Sequence, residues 1–250
     1  MMNYKEMIAD RCLIGWVDLS TKCNAACPQC HRTNPDGLVT ADFLDEYVWT
    51  INEFKRRYPV DTLRMHKAFE FCGTWGDPLM NHDLLEICEY IIENSTAKIH
   101  INTNGSLRSV DWWTELQVIC KRRLTVVFAL DGHNQATHEM YRQKTNLAKV
   151  LENARAASIG ATTCAFTIIF EHNQAFIPNI AEKAYNAGMT HMIIVPSNRF
   201  EGDRTETRFR SKFYEVKSLM KTTLDDDHKI FDTWKLNHES INEMREIMNG

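Results

Sequence analysis

The sequence predicts an α/β protein built on a parallel sheet, and three observations carry the prediction. Short β-branched or apolar runs alternate with segments of helical periodicity. Several of those runs, TVVFAL and HMIIV among them, are apolar throughout, as expected of strands covered on both faces. Four of the ten glycines (Gly73, Gly76, Gly105 and Gly132) fall just past the ends of the runs, on what would be one face of the sheet.

The expected strands cover residues 13–19, 63–72, 98–103, 124–130, 162–170 and 191–195. Apolar residues at helical spacing lie between them: Leu44, Tyr47, Val48, Ile51 and Phe54, then Leu84, Cys88, Ile91 and Ile92. Leu147, Val150, Leu151 and Ala154 follow, then Ile177, Ile180, Ala181 and Ala184, with a weaker helix over 112–119. Gly160 and Gly188 stand where left-handed C-terminal caps are expected. Strand–helix alternation implies right-handed crossovers, and periodicity leaves both a partial or complete barrel and an open doubly wound sheet in play.

Charge and composition narrow the function classes. The 250 residues hold 29 basic and 33 acidic side chains, net −4, without a basic block, which argues against dedicated nucleic-acid binding. Residues 201–250 carry 20 of the 62 charges and no cysteine, and read as a charged helical extension with patches at Phe209, Phe213, Val216 and Met220 and at Ile241, Met244 and Ile247. No run approaches the roughly 18 apolar residues of a membrane span, and no secretory pattern opens the chain. The expectation is a cytoplasmic protein whose thiols stay reduced, with eight cysteines too few for a disulfide scaffold.

Three of the eight cysteines are concentrated in Cys23-Asn-Ala-Ala-Cys27-Pro-Gln-Cys30, directly after the first strand. In parallel β/α folds the strand C-termini carry the site. Three thiolates at this spacing suit an iron–sulfur cube with one iron left open to a ligand. The same residues admit a structural zinc site with His31 as fourth ligand, a C-x-x-C-H haem attachment, or a C-P-x-C dithiol. No second C-x-x-C supports zinc, no export signal supports haem, and the dithiol leaves Cys23 unused.

C-x-x-x-C-x-x-C after the first strand of a β/α chain resembles the radical S-adenosylmethionine (SAM) superfamily, and the later strand ends agree. Cys72-Gly73-Thr74-Trp75-Gly76-Asp77-Pro78 resembles the family's Gly-Gly-Glu-Pro segment with Asp for Glu. Asn102-Thr103-Asn104-Gly105 resembles its Thr-Asn-Gly turn. Ala129-Leu130-Asp131-Gly132 with His138-Glu-Met-Tyr-Arg142 is similar to the Ser-x-Asp-Gly and His-x-x-x-Arg of peptide- and protein-modifying members, the SPASM/twitch branch. Gln29 stands where an aromatic residue is usual, and Ala129 where Ser is frequent.

The resemblance covers about residues 12–196 and implies a partial (β/α)6 TIM-type barrel over 1–198 with a short helical C-terminal extension over 199–250. It implies a [4Fe–4S] cluster on Cys23, Cys27 and Cys30. SAM would lie against Gln29, Gly76, Asp77, Thr103, Asn104, Arg142 and Asn173, with Arg142 on its carboxylate and Asn173 near its ribose. It implies reductive cleavage of SAM to a 5′-deoxyadenosyl radical that takes hydrogen from a peptide, protein or small molecule. The electron would come from a flavodoxin- or ferredoxin-like donor. Peptide maturases of this branch often carry C-terminal cysteines for auxiliary clusters, and here none follows Cys164, which keeps a nucleoside or cofactor precursor open as substrate. A non-catalytic zinc-stabilised binding protein is the alternative outside the family. Asp77 alternatively caps a helix beginning near Asn81, and Cys88, Cys120 and Cys164 read as small core residues. His66, Lys67 and Glu70 are candidates to face the inside of the barrel.

Overall fold

The computed structural model describes residues 13–28, 30, 32, 44–196, 222–225 and 227–249. Gln29, His31, Cys12 and the Phe209–Met220 patch lie outside them. Six parallel strands appear in chain order: β1 (Leu13–Val17), β2 (His66–Phe71), β3 (Lys98–Thr103), β4 (Leu124–Ala129), β5 (Thr162–Ile169) and β6 (His191–Pro196). β7 (Thr233–Lys235), absent from the sequence reading, pairs antiparallel with β6 and completes an open sheet of order β1 to β7. Sequential order without reversal is the arrangement of an incomplete β/α barrel; a doubly wound sheet reverses direction at a switch point.

The helices are α1 (Ile51–Arg57), α2 (Val60–Leu63), α3 (Leu84–Asn94), α4 (Val110–Cys120), α5 (Gln135–Glu139), α6 (Leu147–Ala157), α7 (Ile177–Asn186) and α8 (His238–Asn249). Local chemistry fixes several starts. Thr50 and Glu53 close a capping box on α1, and Asn134 and Thr137 do the same on α5. Ser109 and Asn146 cap α4 and α6.

Three local expectations change. Leu44, Tyr47 and Val48 are not helical; Val48 bridges Ser20 instead, laying this segment along the end of β1. Leu63 belongs to α2, so β2 starts later than the apolar run does. Gly188 takes the left-handed conformation after α7 (φ +82°) but Gly160 does not, because α6 closes with right-handed Ser158.

One face of the sheet packs against the helices. Phe69, Phe71, Ile99, Ile101, Val126, Phe128 and Ile194 join Leu84, Ile87, Ile91, Trp113, Val150 and Ile180 in a single core. Ile241 and Met244 of α8 enter that core, so the end of the chain is part of it. Alternation then sends Trp16, Glu70, His100 and Thr125, which are in register, to the inner face. Of the three inward candidates on β2, Glu70 is the one placed there. The His66 ring stacks on Phe69 and its Nδ1 meets the Thr62 carbonyl, while Lys67 is exposed. No described helix is long and apolar enough to cross a membrane.

Candidate active site

The loop after β1 holds the three clustered cysteines, with Cys27 buried and Cys23 and Cys30 half-buried. Cys27 packs with Ala25, Tyr141, Ile168 and Phe170 in a small core of its own at the C-terminal ends of β4 and β5. The described part of this loop takes its shape from backbone bonds to distant segments. Ala26 N–H donates to the Gln143 carbonyl at 3.0 Å, and Asp77 N–H donates to the Lys22 carbonyl at 2.8 Å. The two segments that resemble SAM-binding motifs are therefore joined to the thiol loop through the main chain.

Gly76 shows how closely they meet. A Cβ there would stand 2.1 Å from the Ser20 carbonyl oxygen and 2.7 Å from that of Lys22. The missing side chain serves close packing of two loops, which a ligand-facing role does not require. Gly76→Ala is expected to push the loops apart and cost on the order of 1–3 kcal/mol. A urea-unfolding midpoint lowered together with iron uptake checks this; a variant as stable as wild type would contradict the contact.

Asp77 is buried at the centre of this junction. Its carboxylate accepts from Leu79 N (2.9 Å), Thr103 Oγ1 (3.0 and 2.9 Å), Asn104 N (2.8 Å) and Asn104 Nδ2 (2.5 Å). It caps the 3₁₀ turn Pro78–Met80; the α-helix that follows starts at Leu84, later than the expected Asn81. Burial raises the Asp77 pKa, and the donors from Asn104, Leu79 and Thr103 work the other way. Asn104 Nδ2 also donates to Asn24 Oδ1 (2.8 Å) and lies 3.8 Å from Cys23 Sγ. Asn24 in turn donates to Ser106 Oγ (2.9 Å). Thr103 and Asn104 therefore hold the thiol loop in register with β3, and Gly105 turns the chain at φ +76°.

On the other side of Cys27 stands Arg142. Its Nε donates to Asp131 Oδ2 at 2.5 Å, and its Nη1 lies 3.9 Å from Cys27 Sγ. Burial opposes the guanidinium charge, but Asp131, with Cys27 and Tyr141, outweighs it, so the group is held cationic. Asn173 is fully buried behind this pair. Both of its amide hydrogens go to backbone carbonyls, of Asp131 and Ile168, and its oxygen accepts from Phe170 N. This side chain clamps the end of β5.

His138, one helical turn before Arg142, is buried with Nε2 unpartnered, and its Nδ1 faces Asp131 N at 3.4 Å. Burial lowers its pKa from 6.5 to about 4 against the attraction of Asp131. Between those values the folded protein binds fewer protons than the unfolded chain. The stability of the neutral imidazole is complete above pH 6.5 and falls as pH drops toward 4. The limiting slope is about 1.4 kcal/mol per pH unit. Urea midpoints measured across that window check it: His138→Asn is expected to lose this part of the slope, with His172, also lowered by burial, retaining a share.

The thiol chemistry suits a metal. Burial raises the Cys23 pKa, as do Asp77 and Cys27, while Ala25 N–H and Arg32 oppose the rise. Without a metal it is a neutral thiol, and a bound cation reverses that balance. Among the described residues no three His, Cys, Asp or Glu side chains converge on one ion position. The donor set is three thiolates in one loop, which fits a [4Fe–4S] cluster. The other cysteines stand apart: Cys88 and Cys120 are fully buried and in contact, and Cys164 is buried. Cys72 donates to the Glu70 carbonyl, its pKa pushed up to about 11 by burial, Asp18 and Glu70.

Sequence reasoning named Asp131 only within a family motif, with no role of its own, and missed Asn24. Asp131 was legible as a charged residue closing an apolar strand, a placement that needs a partner; Asn24 carried no signal.

The sequence pattern of the radical SAM superfamily matches residues 17–184. No curated protein matches the chain. Among solved structures, Streptococcus suis SuiB bound to S-adenosylmethionine is similar, with 13% identity and TM-score 0.60 over 82% of this chain and 44% of that one. Native anSMEcpe with bound AdoMet is similar at 15% identity and TM-score 0.56, over 73% and 50% of the two chains. TYW1 with a lysine–pyruvate adduct bound aligns over 99% of this chain and 77% of its own at 11% identity and TM-score 0.53. At these identities the likeness is one of fold, and the chain spans half or less of SuiB and anSMEcpe.

Proposed function

Starting from the chain's membership of the radical SAM superfamily, enzymes that use a [4Fe–4S] cluster and SAM, we propose that Cys23, Cys27 and Cys30 hold that cluster and that the chain acts on a peptide or protein substrate. Cluster and SAM together supply reductive cleavage of SAM and the hydrogen abstraction that follows from it. The observation that carries the reading is the junction of three strand ends on one loop: Asp77 and Asn104 on one side of the thiols, Arg142 on the other.

The chain's own residues have distinct tasks. The three cysteines bind, and Asn104 and Asp77 hold Cys23 in place. Arg142 presents a fixed cation to an anionic group such as the SAM carboxylate. The backbone around Gly76 meets the SAM amino group, since the Asp77 side chain is engaged within the protein. Tyr141, Phe170 and Ile168 exclude water behind Cys27. Glu70, with Asn102 Nδ2 donating to its Oε1 at 2.7 Å, offers the inner face a polar contact for substrate. The peptide reading is supported by SuiB, solved bound to precursor peptide SuiA, and by anSMEcpe, solved with the Cp18Cys peptide. A flavodoxin- or ferredoxin-like protein in the cytoplasm supplies the electron.

Anaerobic reconstitution with iron and sulfide tests the proposal. About four irons and four sulfides per chain are expected, with methionine released from SAM on reduction by dithionite. One zinc per chain and no SAM turnover would overturn it. Incubation with peptide libraries against nucleoside and cofactor precursors, followed by mass spectrometry for SAM-dependent mass shifts, decides the substrate class.

A further inference from the structure

Asp131 takes no part in the tasks described so far, yet both of its carboxylate oxygens are engaged behind the thiol loop. It is fully buried at the end of β4. Oδ1 accepts from Ile168 N of β5 at 2.7 Å, and Oδ2 accepts from Arg142 Nε. Asn173 fastens the Asp131 carbonyl at 2.9 Å, and the same amide holds the Ile168 carbonyl. The carboxylate is thus fixed by the β5 backbone and occupies one edge of the guanidinium. A guanidinium is planar, so fixing Nε fixes the direction of the remaining nitrogens. Nη1 then points at Cys27 Sγ, 3.9 Å away, with the Arg142 guanidinium also lying 5.0 Å from the Tyr141 ring centroid.

Resting on the reading that Cys27 is a cluster ligand, we infer that Asp131 is a positioning residue. It aims the Arg142 cation at the Cys27 sulfur and so makes the cluster easier to reduce. A cation held beside a ligand sulfur in a water-poor site stabilises the added electron. The pair has a second consequence. The Nε edge of Arg142 is closed by Asp131, which restricts any further anion to the terminal nitrogens, beside Cys27.

The test is the midpoint potential of the reconstituted cluster, followed by the EPR signal of its reduced form at set potentials, with iron content measured alongside. Arg142→Gln is expected to lower electron affinity about tenfold, equivalent to 59 mV for one electron, with iron retained. Arg142→Lys keeps the charge, but a single ammonium does not hold Asp131 and Cys27 in one rigid plane, so its potential is expected to fall toward that of the Gln variant. Asp131→Asn is expected to shift the potential in the wild-type background and to leave it unchanged when Arg142 is already Gln. Equal shifts in both backgrounds would mean a bare through-space charge and overturn the aiming role. Lost thermal stability with an unmoved potential would reduce Asp131 to a structural clamp and overturn it too. If Asp131→Asn does not accumulate, the Lys and Gln variants carry the test, and a wild-type potential in the Lys variant sinks it. A wild-type chain that assembles no cluster would defeat the functional reading itself, a different outcome from a cluster whose potential ignores Arg142.

Discussion

Replacing Cys23, Cys27 or Cys30 with Ala is expected to leave the chain folded and almost free of iron after reconstitution and desalting. In the proposed site each thiolate would hold one iron of a cluster with only three protein ligands, so no neighbouring ligand would compensate. The loss should exceed the roughly 10–100-fold that removal of an outer partner costs a metal site. Cys88→Ala is the control. Cys88 lies in the core on α3, in contact with Cys120, and its loss should cost on the order of 1 kcal/mol and no iron. Iron and sulfide assays on the four variants separate the outcomes, and retention of iron by any of the first three would move the cluster elsewhere. Cys72 adds a sharper contrast, because it sits beside Glu70 on the inner side of the sheet and is not called on as a ligand.

Asp77 should produce the second large effect. In Asp77→Ala the Thr103 hydroxyl, the Leu79 and Asn104 amides and the Asn104 side chain lose their acceptor together. Each orphaned buried donor costs about 1–3 kcal/mol. Their sum is of the order of the whole stability of a domain, about 5–15 kcal/mol. Asp77→Asn keeps the volume but turns an NH2 toward donors that need an acceptor. Asp77→Glu keeps both oxygens and adds a methylene where there is no room, costing roughly 1–3 kcal/mol. The expected order of urea midpoints is wild type, Glu, Asn, Ala, with iron uptake falling in step as Asn104 releases Cys23. A well-folded Ala variant would show that the carboxylate is not the hub the hydrogen bonds make it.

The carboxylate also shows where sequence reading stopped. Asp in place of the family's Glu reads from sequence as a substitution at a SAM-binding segment. In the fold its side chain turns inward to β3, which only the pairing of β2 with β3 makes possible. Asn173 tells the same story. Its position past β5 was legible, while the closure of its amide on backbone carbonyls 5 and 42 residues away was not.

By itself the sequence determined the six parallel strands, nearly to their ends, and the thiol loop at the mouth of the first. It also determined the family to which these belong. Those features are written in residues close together along the chain: a two- or 3.6-residue period, a cap, a spacing of cysteines. Tertiary structure decided that Glu70 faces inward while His66 folds back onto Phe69, and that 233–235 adds a seventh strand. It also decided that Gly76 packs loop on loop and that Arg142, paired with Asp131, stands beside Cys27. Most of these features depend on residues far apart along the chain, through strand register and crossover geometry, quantities that no local period encodes.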